Sequence, residues 1–312
     1  SVQEWLKEAG LSSKEMSQLD SGEPLVWVPK ADDRAEVTLL AVVRIRVTPD
    51  DLRGMARDVA SLAQRDEQVL QVGVFSDDPT PADAAALRLP DGDVKDLPKC
   101  KVGSCALRFP ADALEQMQGQ VDGPERANAY MARWLADYLA AYQEQGGEAL
   151  AVYADKKETQ SVAQGLEILM RKTDLLIEYD EDFYRYVRRY PATGSPGAEN
   201  LFYWTVEDLS LKPTVFLNHM AIQGVGEGAG ALVVVKQIYA SHYMQAGFKV
   251  YAALPASDTD PSEGVYVLLT QRLRFDGNVG GIKRKALEDG TKKAARSQLK
   301  SFKAHAEARA NS

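Results

Sequence analysis

The chain has 312 residues, 45% of them hydrophobic and 26% charged, an ordinary globular composition with enough apolar side chain for a real core. Its net charge of −8 argues against a general nucleic-acid binder, and no apolar run approaches the ~20 residues that span a bilayer. The length suits one large domain, or one domain carrying a substantial insertion.

In chain order, EWLKEAG and SSKEMSQL read as a short polar helical segment within residues 1–23, and PLVWV (24–28) reads as a strand. Residues 36–47 place Val37, Leu39, Ala41, Val43, Ile45 and Val47 on alternate positions, the period of a strand with one apolar face. Thr48-Pro49-Asp50-Asp51 then starts a helix: Thr caps, Pro suits the first turn, and the acids complement the dipole. Leu52, Met55, Val59 and Leu62 supply that helix with one buried stripe.

VLQVGVF (69–75) is a further strand, followed by a Pro-, Asp- and Gly-rich tract to Lys99 that reads mostly as loop. Between 109 and 190 the pattern is helical. Met131, Trp134, Leu135, Tyr138, Leu139 and Tyr142 form one apolar face; Val162, Leu166, Leu169 and Met170 form a second; Phe183, Tyr186, Val187 and Tyr190 form a third. PATGSPGAEN (191–200) breaks the pattern. Long strands follow in LFYWTVEDL, KPTVFLNHMAIQ, ALVVVKQIYASHY, GFKVYAALP and GVYVLLTQRLRF, separated by turns. The chain closes on an amphipathic helix in which Ile282, Ala286, Leu287, Ala294, Leu299 and Phe302 can face inward. From Ile282 onward nine Lys and Arg stand against three Asp and Glu, so this stretch is +6 and the remainder −14.

The two cysteines, Cys100 and Cys105, lie in KCKVGSC, just before ALRF, which reads as a strand. Zinc wants about four ligands, and only His219, His242 and His305 exist to join them, so no metal or cofactor is expected. A disulfide across four intervening residues is the expectation, worth ~2 kcal/mol for so small a loop. Free thiols made reactive by Lys99 and Lys101 are the alternative. The opening SVQEW, without an initiating Met, suits a mature terminus left by signal removal, or a trimmed start. The first option carries the expectation of a periplasmic or secreted protein, with the cytoplasm as the alternative.

GVGEGAG (224–230) lacks the strand–turn–helix setting of a phosphate-binding loop, since ALVVVKQIY after it is strand; a hairpin loop is expected. Glu178, Asp180, Glu181 and Asp182 open a helix whose Arg185, Arg188 and Arg189 are natural partners, the common structural arrangement. His219 shares a strand side with Val215, Leu217 and Ala221, and His242 stands near Tyr239, Ser241 and Tyr243, where acid–base work is conceivable.

Two passages, EVTLLAVVRIRVTPDDLRGMARDV and everything from LFYWTVEDL onward, resemble in pattern the START-like (SRPBCC) superfamily. The resemblance covers about residues 34–75 and 200–308. It implies an α+β helix-grip fold, a curved antiparallel sheet gripping the C-terminal helix. Residues 24–75 and 196–312 would build that domain, and 76–195 a mostly helical insertion or subdomain carrying the cysteines. It also implies a cavity between sheet and helix for an apolar small molecule or lipid. Lining candidates are Val215, Leu217, Val267, Leu269, Leu273, Phe275, Leu299 and Phe302, with His219 and Gln271 as polar contacts.

A non-catalytic binding or carrier protein is therefore the expected function. An enzyme of cyclase or hydrolase type with His219 or His242 as acid/base is the rival, and an exported interaction scaffold is a third reading. The basic face of the closing helix adds a peripheral contact with an anionic membrane surface as an option.

Overall fold

The computed structural model describes residues 6, 11–173, 179–192, 194, 197–208, 211–226, 230–257 and 259–310. Helix α1 (Ser13–Asp20) precedes strands β1 (Leu25–Trp27) and β2 (Glu36–Ile45), then α2 (Pro49–Arg57), α3 (Val59–Ala63) and β3 (Val69–Val74). A mainly helical stretch follows: α4 (Asp91–Asp96), α5 (Ala111–Gln116), α6 (Pro124–Gln145), the short strands β4 (Val152–Tyr153) and β5 (Gln160–Ser161), α7 (Val162–Arg171) and α8 (Glu181–Arg189). The chain finishes with β6 (Glu199–Glu207), β7 (Thr214–Val225), β8 (Gly230–Ala240), β9 (Met244–Pro255), β10 (Val265–Phe275) and the 30-residue α9 (Gly281–Ala310).

All but β4 and β5 join one sheet in the order β1-β2-β10-β9-β8-β7-β6-β3. Every pairing is antiparallel, and β2 closes against the last strand from Val265↔Ile45 to Arg274↔Glu36. These strands are apolar on both sides; β7 is buried at nine consecutive residues, Thr214–Ile222. Such a sheet needs a cover on each face.

On the inner face α9 lies against β1 and β2, and α2 lies against β7, β8 and β9. On the outer face α7 packs against β8, β9 and β10, and one apolar core runs from α5–α8 into the sheet through Trp204, Leu217, Ile238 and Phe248. The fold is α+β, a curved antiparallel sheet gripping a long C-terminal helix, with a helical layer on its back.

Local chemistry explains the element ends. Thr48 caps α2: its Oγ1 accepts from Asp51 N at 3.2 Å, and the Asp51 carboxylate accepts from Thr48 N at 2.9 Å. The stripe expected on one helix is split between two, because Asp58 leaves helical geometry and caps α3 by accepting from Ser61 N. The tract before Lys99 is less loop-like than its composition, since it holds α4. ALRF forms no strand, with bends at Ala106 and Leu107; Arg108 N donates to Ser241 O and Phe109 O accepts from Ala154 N instead.

In α9 the buried side chains are Ala295, Leu299 and Ala306, with Leu287 and Phe302 partly covered and Ala286 exposed. The side chain of Ile282 lies outside the described set, as does Glu178 of the acidic cluster. Asp180 of that cluster caps α8 by accepting from Phe183 N; Glu181 and Asp182 pair with Arg185, while Arg188 reaches Glu167 on α7. β7 and β8 are joined as a hairpin at GVGEGAG, whose residues 227–229 are outside the described set.

Gly73 on β3 stands directly across from Trp204, and a Cβ there would meet the indole at 2.4 Å. The indole cannot retreat cheaply, because Nε1 donates to Asp83 O and the ring is 1% exposed. Gly73→Ala is expected to lower stability by about 1–3 kcal/mol in chemical denaturation. Gly54→Ala in α2, where nothing lies within 4 Å, should instead leave stability unchanged or raise it.

Candidate functional site

The inner face is not filled. A cavity of ≈ 230 Å³ lies between the sheet and the helices that cover it. Its walls are Leu52 and Ala56 from α2, Val59, Leu62 and Ala63 from α3, and Gln298, Leu299, Ser301 and Phe302 from α9. The sheet contributes Tyr203, Thr205 and Glu207 (β6), Met220 (β7), Ala231, Val233 and Val235 (β8), Lys249, Tyr251 and Ala253 (β9), and Val267 and Leu269 (β10). Pairing carries this face across the strands: Met220 stands beside Val235, Val235 beside Lys249, and Tyr251 beside Leu269. Arg65, Asp66 and Val69 complete the lining; Arg65 and Ser301 are exposed, so the mouth opens between the α3–β3 connection and α9.

Of the expected lining residues, Val267, Leu269, Leu299 and Phe302 border this cavity. Leu273 and Phe275 share the inner face but pack further along it with Val37, Phe216 and Met244, and Gln271 sits between Lys249 and Leu39 without reaching the lining. Val215, Leu217 and His219 are on the opposite face, under the helical layer. Their shared side was legible from alternation; which side it is was not, because β7 has no polar face to mark the exterior. Tyr203, Glu207, Lys249 and Tyr251 escaped the sequence reading. Their signal was a lysine and tyrosines alternating within strands that are otherwise aliphatic.

The polar end of the cavity has distinct electrostatics. Burial raises the Glu207 carboxyl above its usual range, against the nearby Lys249 and a 2.7 Å hydrogen bond donated by Thr205 Oγ1. Burial pulls the Lys249 ammonium down, but Tyr251, Glu207 and Asp66 outweigh it and the net shift is upward, keeping it charged. Burial pushes the Tyr203 phenol up, so it stays protonated.

His219 lies at the centre of a separate buried cluster. Tyr142 O–H donates to Nδ1 at 2.9 Å, and Nε2–H donates to Asn200 Oδ1 at 2.8 Å, while Asn200 Nδ2 donates to the Tyr186 hydroxyl. Burial, then the charge of Lys236, hold the ring well below its ordinary pKa, so it is neutral. Lys236 is itself buried, donates to Val187 O at 2.8 Å near the end of α8, and lies over the Tyr142 and Tyr190 rings.

His242 is also far from the cavity lining. It sits in the β8–β9 turn, 2.9 Å from the buried Asp93 carboxylate, which Lys212 approaches at 3.5 Å. Neither histidine therefore lies where a cavity-bound substrate would meet it.

Cys100 and Cys105 form a disulfide across a tight turn in which Lys101 and Ser104 exchange backbone hydrogen bonds and Gly103 takes φ +77°. It belongs to the helical layer, away from the cavity. Among the described residues no group of three or more His, Cys, Asp and Glu is placed to hold a metal. Among them, too, no helix is long and apolar enough to cross a membrane.

No protein-family model matches the sequence. No curated protein matches it either. Among solved structures, the chain is similar to a STAR-related lipid transfer protein from Xanthomonas axonopodis, with TM-score 0.40 and 10% identity over 91% of this chain and 93% of that one. It is also similar to human STARD10, with TM-score 0.36 and 8% identity over 93% and 79%. For Ara h 8.0201 the TM-score is 0.23, with 12% identity over 37% and 70%. All three scores fall below 0.5, so the description of the fold rests on sheet order and helix placement alone.

Lys236 offers a test of the outer cluster. Burial lowers it from 10.5 to about 7, so the unfolded chain binds the proton more tightly than the folded one between these values. Stability from this group is fully present above the unfolded value and is lost as pH falls through 7. Lys236→Met removes the titration. Measured by denaturation at about pH 6 and about pH 10, the variant's stability relative to wild type should drop by up to about 4 kcal/mol at the higher pH. A difference that does not change with pH would show that Lys236 titrates normally.

Proposed function

We propose that this protein binds and carries an apolar small molecule or lipid in the cavity between its sheet and C-terminal helix, without transforming it. The observation that carries this reading is the cavity itself: ≈ 230 Å³, walled largely by aliphatic side chains, with convergent polar groups at one end. Its volume lies near the lower end of ligand sites, which favours a slender occupant. The rival enzyme reading loses its acid/base group, because His219 is neutral and bonded at both nitrogens on the other face and His242 is bound to Asp93. In this reading 24–75 with 196–312 form the binding unit, and the 76–195 layer stiffens the sheet from behind. The disulfide suits an oxidising compartment, as an exported carrier would meet.

Native mass spectrometry of protein from its own host, followed by organic extraction, should show a co-purifying apolar molecule. Ala253→Trp and Val233→Trp, which put indoles into the cavity from two different strands, should each yield protein without it at unchanged fold. Retention of the same molecule by both variants would place it elsewhere and end this reading.

Release and loading at a membrane form the second part of the proposal. Lys293, Arg296 and Lys300 are exposed on α9 alongside Ser301 at the mouth, and Leu70, 53% exposed, follows Val69 on the other side. This pairing of cations with an apolar residue suits an anionic bilayer. The protein should sediment with phosphatidylserine-containing vesicles and not with phosphatidylcholine alone, and Lys293→Glu/Arg296→Glu/Lys300→Glu should abolish the difference. Equal sedimentation of the variant would exclude this face.

A further inference from the structure

The cavity is apolar except at one end, and that end is unequal in what it leaves unsatisfied. Its acids already have donors: Asp66 accepts from Gln298 Nε2 at 2.5 Å and from Gln68 N at 2.9 Å, and Glu207 accepts from Thr205. Its strongest donors do not have acceptors. Among the described residues, Lys249 Nζ makes no hydrogen bond and has no carboxylate at ion-pair distance, and the hydroxyls of Tyr203 and Tyr251 have no hydrogen-bond partner. A half-buried ammonium and two phenols therefore line one space without a hydrogen bond of their own among the described residues, and Tyr251, Glu207 and Asp66 hold the charge of Lys249 through space without bonding to it.

Building on the cavity reading above, we propose that the ligand is a carboxylate-bearing amphiphile. Its acid head is held by Lys249 with Tyr203 and Tyr251, and its apolar body lies among Val233, Val267 and Leu299. A carboxylate accepts several hydrogen bonds at once, which matches three donors better than the single oxygen of an alcohol. The neighbouring Glu207 sharpens the expectation rather than cancelling it. It competes with the incoming acid for the same ammonium, so its charge weakens binding, and removing that charge strengthens binding. A neutral head group would feel neither effect.

The test is calorimetric titration of the full chain, stripped of co-purifying molecules, with decanoate and with decanol at neutral pH. Wild type should bind decanoate about tenfold or more tighter than decanol, the range of a charge-assisted hydrogen bond. Lys249→Met should bring decanoate down to the level of decanol while leaving decanol unchanged, which also shows that the variant is folded. Glu207→Gln should tighten decanoate alone. Equal binding of the two ligands by wild type, or a preference for the acid that survives Lys249→Met, would overturn the acid head and leave the apolar carrier standing. Binding of neither ligand by any of the three proteins would overturn the carrier reading together with this one.

Discussion

The burial of β7 on both faces is the constraint from which the rest of the structure follows. With nine successive buried residues, this strand has no side to give to water, and β8 beside it and β9 beyond share much of the condition. An antiparallel sheet in that position must be covered twice. A C-terminal helix can cover one face, and only a second helical layer can cover the other. The long stretch between β3 and β6 is therefore not an ornament on a helix-grip sheet; without it Trp204, Leu217 and Phe248 would face solvent.

The two covers are built differently, and that difference creates the cavity. The outer interface is filled by large rings: Trp134 lies 4.6 Å from Tyr239 and 5.0 Å from Tyr138, and Phe109 closes on Trp134 edge-on. At a bulge between β7 and β8, Tyr138 O–H donates to Ile238 O and Tyr153 accepts from Ala240 N, so helical-layer tyrosines satisfy backbone groups the ladder leaves open. The inner face instead presents Ala231, Ala253, Val233 and Val267, short side chains that leave open volume between the sheet and α2, α3 and α9. Rings against one face and short aliphatics against the other give one packed interface and one hollow one.

Much of this was readable from residues. Thr48-Pro49 marked the junction of β2 and α2, the aromatic stripe of α6 was visible at its helical period, and Val267, Leu269, Leu299 and Phe302 were found by alternation and amphipathicity. The failures have physical causes. A period of two groups residues by side without naming the side, and Val215, Leu217 and His219 fell on the wrong one because both sides are equally apolar. Asp58 lay inside the stripe of Leu52, Met55, Val59 and Leu62 that reads as one helix, yet its backbone leaves helical geometry to end α2 and its carboxylate caps α3. Lys249 and Glu207 were passed over because a charged residue near a strand's middle or end ordinarily marks the solvent side, and here there is none.

Lys236 and Lys249 show how one residue type is turned to two ends by its surroundings. They sit on neighbouring strands and point to opposite faces of the same sheet. Lys236 meets a carbonyl and two tyrosine rings but no carboxylate within ion-pair distance among the described residues, and burial drops it to about 7. Its environment is complete, with the helical layer as its partner, so it can only hold α8 against the sheet. Lys249 has acids close enough to keep it charged and too far away to bond with it, and open volume lies in front of it. A charge maintained by its neighbours but left without a contact is poised for something that arrives from outside. That distinction, between a satisfied lysine and an unsatisfied one, separates the packed face of this sheet from its hollow one.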